Sequence, residues 1–199
     1  MTPTFEKFAL ADQFVTARGA KICTLSSHGA PARVIQTTPV RIPFEPGNFD
    51  KSSTSTRQTL VICCSPEMEQ YFDALDAWAI EYLTAHAERL FKKPMTKEQI
   101  QGGYKSAVTR KGAYPAQIRA KINTEGAHAC DYWTSDGSRR EPPSDWRSVE
   151  YIPSLTIRQL WQMGADFGWV IEVTDLLIIE PDRRSPFAPE ATGACIAAC

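Results

Sequence analysis

The chain has 199 residues, 43% of them hydrophobic, with 22 basic and 23 acidic side chains for a net charge of −1. That apolar fraction excludes a disordered chain, and the length suits a single domain, expected over residues 1–183. No run approaches ~18 apolar residues, which excludes a helical membrane span. The N-terminus has acids and no apolar h-region, so an intracellular, non-secreted protein without a membrane partner is expected. The near-neutral total hides a segregated charge. Residues 65–88 carry six acids and no base, whereas residues 89–123 carry nine bases against Glu98 alone.

Lys21–Leu25 and Ala32–Thr38 read as short strands around the turn signal Ser27-His28-Gly29-Ala30-Pro31. Val40–Phe44 continues extended, and Pro39 and Pro43 confine it to an edge or a bend. Glu45–Thr56 is a polar loop, and Gln58–Cys64 is a fourth strand with apolar residues on both faces. Ser65 then caps a helix, Pro66 takes its first position, and Glu67 and Glu69 complement its positive end. The stripe Met68, Phe72, Leu75, Ala79, Tyr82 and His86 predicts that this helix runs to Lys93, with Trp78 on its core side.

Thr96 opens a further helical turn, stopped by Gly102-Gly103. From Ala116 to Ile122 the pattern alternates: Ala116, Ile118, Ala120 and Ile122 face inward, and Gln117, Arg119 and Lys121 face outward. Ala127–Thr134 is a strand ending in Tyr132 and Trp133. Ser154–Met163 and Gly168–Glu180 close the sheet, the latter kinked near Asp175. Pro181 ends it, and residues 184–199 are expected to be a disordered tail. The elements describe an α+β, mainly antiparallel β protein with one long helix.

A catalytic reading has little to stand on. There is no G-x-G-x-x-G, Walker loop or H-E-x-x-H. None of the six cysteines forms C-x-x-C and none pairs with a histidine at finger spacing, so neither a structural zinc nor another cofactor is expected. His128, Cys130 and Asp131 form the one cluster a thiol enzyme would use, and a strand with a buried cysteine explains it as well.

A binding reading has more. Recognition of a single strand needs cations to track phosphates and aromatic faces on which bases stack. Arg33, Arg41, Lys105, Arg110, Lys111, Arg119, Lys121 and Arg158 supply the first, and Tyr104, Tyr114, Tyr132, Trp133, Trp161 and Trp169 the second. The basic segment forms a cationic loop, Gly102–Ala113, followed by the strand bearing Arg119 and Lys121, and a groove edged by Tyr104–Lys121 is expected.

The order of Ile35–Phe44 (I-Q-T-x-P-V-R-I-P-F), Thr59–Ile62, an acidic aromatic helix, Tyr114–Ile122 (Y-P-A-Q-I-R-A-K-I) and Trp161–Val173 resembles a protein family of large algal DNA viruses and some protists. That family looks like single-stranded-DNA-binding proteins built on an oligonucleotide/oligosaccharide-binding (OB) barrel. The resemblance covers roughly Ile35–Ile178. It implies an OB-like barrel of five or six strands, with the helix Pro66–Lys93 inserted or packed on it. It also implies non-specific binding of single-stranded nucleic acid, DNA favoured over RNA, in replication, recombination or transcription, with a nuclear or virus-associated setting possible. Similar sequences commonly carry G-K-F/Y-G before the last strand, where this chain has Gly164-Ala165-Asp166-Phe167-Gly168, an acid replacing the lysine. The alternative is a scaffolding or coat-type β protein, a homo-oligomer whose basic segment contacts acidic helices of neighbouring subunits.

Overall fold

The computed structural model describes residues 5–16, 19–35, 37–48 and 52–180. Ser65 Oγ accepts the Met68 N–H at 3.1 Å, and Pro66 opens α1 (Pro66–Ala85). The expected single helix to Lys93 is interrupted. His86 leaves helical backbone angles, its ring packs 4.2 Å from Tyr82, and a short α2 (Ala87–Phe91) follows. The break re-aims Leu90 and Phe91 into the core, and Lys92 closes the turn at φ +59°. Thr96 and Gln99 cap α3 (Lys97–Gly103) reciprocally.

The strands are β1 (Phe8–Leu10), β2 (Phe14–Val15), β3 (Lys21–Ser27), β4 (Ala30–Ile35), β5 (Arg57–Cys63), β6 (Tyr104–Lys105), β7 (Val108–Thr109), β8 (Gln117–Asn123), β9 (Asp131–Trp133), β10 (Arg139–Arg140), β11 (Glu150–Met163) and β12 (Asp166–Ile179). They form one curled half-barrel sheet with the main order β1-β3-β4-β11-β12-β8-β5, so the fold is α+β, an OB-like half-barrel with a packed helix. Its spine is the β11–β12 hairpin. The kink expected near Asp175 is a register shift: Ser154 pairs with Asp175 and Leu155 with Val173, leaving Thr174 as the extra residue. A second irregularity leaves Arg158 unpaired between Ile157 and Gln159.

The sheet is less uniformly antiparallel than expected, because β12 pairs in parallel with β6, β8 and β9. Val40–Phe44, expected to be extended, makes a single bridge from Val40 to Tyr151. Part of the loop Glu45–Thr56, and the tail from residue 181, lie outside the described residues.

Alternation sorts the two faces. Leu60 and Ile62 of β5, Ile118, Ala120 and Ile122 of β8, Leu155 and Ile157 of β11, and Ile171 and Val173 of β12 are buried against Phe72, Leu75 and Leu83 of α1. Each of these side chains larger than Ala120 contributes roughly 1.5–3 kcal/mol. The N-terminal Phe5 and Phe8 extend this core by packing on Trp78 of α1. The sheet face away from α1 carries no helix among the described residues, and its residues are the other half of each alternation.

Candidate nucleic-acid interface

Residues paired in register share a face, so the ladder shows what the open face presents. One rung crosses five strands: Arg33 pairs with Thr156, Thr156 with Glu172, Glu172 with Lys121 and Lys121 with Thr59. On adjacent rungs Arg119 stands opposite Val61, and Arg57 opposite Asn123. The unpaired position in β11 belongs to Arg158, whose guanidinium turns onto Glu172. Five cations from four strands therefore lie on one side of the sheet.

Glu172 is the hub of this array. It is 7% exposed, and its carboxylate accepts from Arg158 and from Asn123 Nδ2 at 2.8 Å, with Arg57 at 4.0 Å. Around it the charge stays positive. Arg119 is exposed with no ion pair among the described residues. Lys121 Nζ donates to Thr59 Oγ1 at 2.9 Å, and its burial, with Arg57 nearby, holds it below the ordinary lysine range. An ammonium held against its preference gains most from an arriving anion.

A second rung of five strands carries aromatic surface: Phe14 pairs with Ile22, Ile22 with Trp161, Trp161 with Gly168 and Gly168 with Lys105. Gly168 has a steric reason. A Cβ there would lie 2.9 Å from the Lys105 carbonyl and 3.4 Å from the Trp161 ring. The indole thus lies close over the backbone, half-buried, while Phe14 is 50% exposed beside it and Met163 extends the apolar surface. Lys105 meets Asp166 at 3.0 Å, the acid noted in the turn segment.

The opposite end of the face holds Trp133. It pairs with Leu177, which pairs with Ile152, and these three line a cavity of about 440 Å³ whose polar end is Arg33, Ser154 and Asp175. Trp133 Nε1 donates to Asp175 Oδ1 at 3.2 Å, Arg33 donates to Oδ2 at 3.3 Å, and the Arg139 guanidinium lies 5.4 Å from the indole centroid. The face therefore has rings at both ends and cations between them.

Of the residues the sequence singles out, Arg33, Lys105, Arg119, Lys121, Trp133, Arg158 and Trp161 come together here. Tyr104 and Trp169 do not. They follow the inward half of the alternation: the Tyr104 hydroxyl donates to Asp76 Oδ1 at 2.7 Å, and Trp169 is buried and stacked on Trp78 at 6.3 Å. Arg110 is bound to its own helix, donating to Glu69 at 2.7 Å and Asp73 at 2.6 Å. This pairing joins the basic segment to the acidic helix within one chain. Arg41 lies beside Glu150, 3.7 Å away, and Lys111 and the 77%-exposed Tyr114 project from the loop before β8.

Sequence reasoning missed Phe14 and Arg57. A two-residue strand is too short to show a period, and Arg57 stands at a loop boundary where no alternation precedes it. The His128–Cys130–Asp131 cluster is occupied otherwise: Cys130 is buried, which raises its thiol pKa, and Asp131 accepts from Arg139 at 2.6 Å. Among the described residues, no group of three or more His, Cys, Asp and Glu could hold a metal ion, and no helix is long and apolar enough to cross a membrane.

No family model and no curated protein matches the chain. Among solved structures, it is similar to a single-stranded DNA-binding protein from bacteriophage Enc34 in complex with ssDNA. The TM-score is 0.46 at 9% identity, over 90% of this chain and 99% of that one. A C-terminal truncation of the phage protein gives 0.45 at 9%, over 90% and 98%, and a further structure of it gives 0.42 at 10%, over 94% and 98%.

Proposed function

We propose that this chain is a single-stranded nucleic-acid-binding protein whose ligand crosses the open face of the half-barrel. Phosphates follow Arg57, Arg119, Lys121 and Arg158, and bases stack on Phe14 and Trp161 at one end and Trp133 at the other. The observation that carries this is the pair of five-strand rungs, which set a cationic array beside aromatic surface on a sheet face that no helix covers among the described residues. Phosphate contacts of this kind are insensitive to sequence, and ring stacking is nearly so. DNA is favoured over RNA on the family resemblance, which also suggests a task in replication, recombination or transcription. The scaffolding alternative loses its main contact, since Arg110 already satisfies Glu69 and Asp73 in its own chain.

The test is fluorescence anisotropy of a labelled oligo-dT with the full chain. Affinity is expected at low salt, falling with a log–log slope of about −0.7 per phosphate engaged. Absence of affinity at low salt would overturn the proposal, and light scattering showing a large salt-sensitive oligomer would then favour the scaffolding role.

A further inference from the structure

The cavity beside Trp133 is more than an extension of the stacking surface, because its polar end offers a defined hydrogen-bond pattern. We propose that it is a base-recognition pocket that accepts one guanine of the bound strand. This rests on the reading of the open face as a single-strand interface.

The pocket has the composition such a site needs. Trp133 supplies a flat wall, Ile152 and Leu177 supply an apolar floor, and Arg33, Ser154 and Asp175 close one end. The volume of about 440 Å³ falls within the range of small-ligand pockets. Asp175 is oriented but not saturated. Among the described residues each carboxylate oxygen receives one hydrogen bond, from Trp133 at 3.2 Å and from Arg33 at 3.3 Å, both longer than the usual N–H···O distance. An ionised carboxylate has about four lone-pair sites on its two oxygens, so each can accept once more.

Among the four bases only guanine presents two adjacent donors on its Watson–Crick edge, N1–H and the N2 amino group. A carboxylate accepts both at once. The acceptor beside them, O6, then falls on the side of Arg33, which already shares Asp175. Adenine and cytosine turn a ring-nitrogen acceptor toward the carboxylate, and thymine sets its single N3–H between two carbonyls. Those bases can still stack on Trp133, but each leaves an acceptor facing the carboxylate. The pocket therefore adds a preference at one position to an otherwise sequence-tolerant face.

The experiment uses oligo-dT strands of about 16 nucleotides, a length within the usual site size. One series carries a single dG, dA or dC stepped along the strand, and binding to the full wild-type chain is measured at fixed salt. The dG strand is expected to bind about tenfold tighter than the others at its best position, as two-point base recognition does. In Asp175→Asn that ratio falls to about one whatever the absolute affinity, because the amide replaces an acceptor by a donor. Equal binding of all strands by the wild type would overturn the pocket while leaving the function of the face intact. A dG preference that survives in D175N would overturn the role of Asp175. Failure of every strand to bind at low salt would overturn the interface itself.

Discussion

Arg158 turns its guanidinium onto the carboxylate of Glu172 at the centre of the open face, and the pairing follows from how β11 is built. Arg158 occupies the irregular position between Ile157 and Gln159, so its side chain leaves the ladder and reaches across to the neighbouring strand. Glu172, 7% exposed, has Arg57 and Asn123 as further neighbours. A carboxylate placed among the cations of a phosphate track holds those cations in position and competes with the ligand for them.

Glu172→Gln is expected to raise affinity for oligo-dT by about fivefold at low salt and to steepen the log–log salt slope by about 0.7 for each arginine released. Anisotropy titrations from about 50 mM to about 200 mM salt measure both. An unchanged slope would mean that Arg158 and Arg57 stay off the phosphates.

Stacking is the second contribution. Phe14 is 50% exposed, so Phe14→Ala leaves stability within about 0.5 kcal/mol while weakening binding by about 1–3 kcal/mol. Trp161→Ala is expected to lose at least as much affinity, with some loss of stability because its ring lies against Gly168. Thermal melts alongside binding curves separate the two effects.

The basic segment is expected to divide by residue. Arg119→Ala removes from the open face a cation that has no ion pair among the described residues and weakens oligo-dT binding, with the salt slope falling by about 0.7. Arg110→Ala removes a guanidinium that faces Glu69 and Asp73 on the other side of the sheet, so affinity stays within about twofold. Its stability cost is under about 1 kcal/mol, as for exposed ion pairs generally. Equal losses in the two variants would contradict the division of the faces.

That division marks the limit of what the sequence carries. The helix start is legible because Ser65, Pro66 and the acids after them are local signals, and the outward set Gln117, Arg119 and Lys121 is legible because a period of two over Ala116–Ile122 is itself the strand. The rungs are not legible. They depend on parallel pairing of β12 with β8 and β6, which joins residues about fifty or more positions apart through no sequence pattern. Trp161 and Trp169 look equivalent on either side of one turn. The register Leu160↔Trp169 and Trp161↔Gly168 places one indole outside and the other against Trp78. The fate of Arg110 likewise depends on where α1 packs, which composition alone does not show.

Asp76 links stability to pH. It accepts from the Tyr104 hydroxyl at 2.7 Å, the Ser106 hydroxyl at 2.6 Å and the Ala107 N–H at 3.1 Å. Burial still raises its carboxyl above the ordinary value against those three bonds. A raised carboxyl favours the protonated fold, so its contribution is present below the unfolded-state pKa and is lost as pH rises through the folded value. Asp76→Asn is expected to flatten that fall in a pH series of thermal melts. At neutral pH it lowers Tm by about 2–4 °C per kcal/mol lost, since an amide cannot accept from all three donors. A variant that melts as the wild type does across the series would show that Asp76 is not the group responsible.

The bound strand is expected on the face away from α1, and photo-crosslinking locates it. A halogenated-uracil oligonucleotide bound to the full chain, irradiated and digested for mass spectrometry, is expected to attach to peptides containing Phe14, Trp161 and Trp133. Attachment confined to the Lys111–Tyr114 loop and to α1, with those three peptides unmodified, would contradict it.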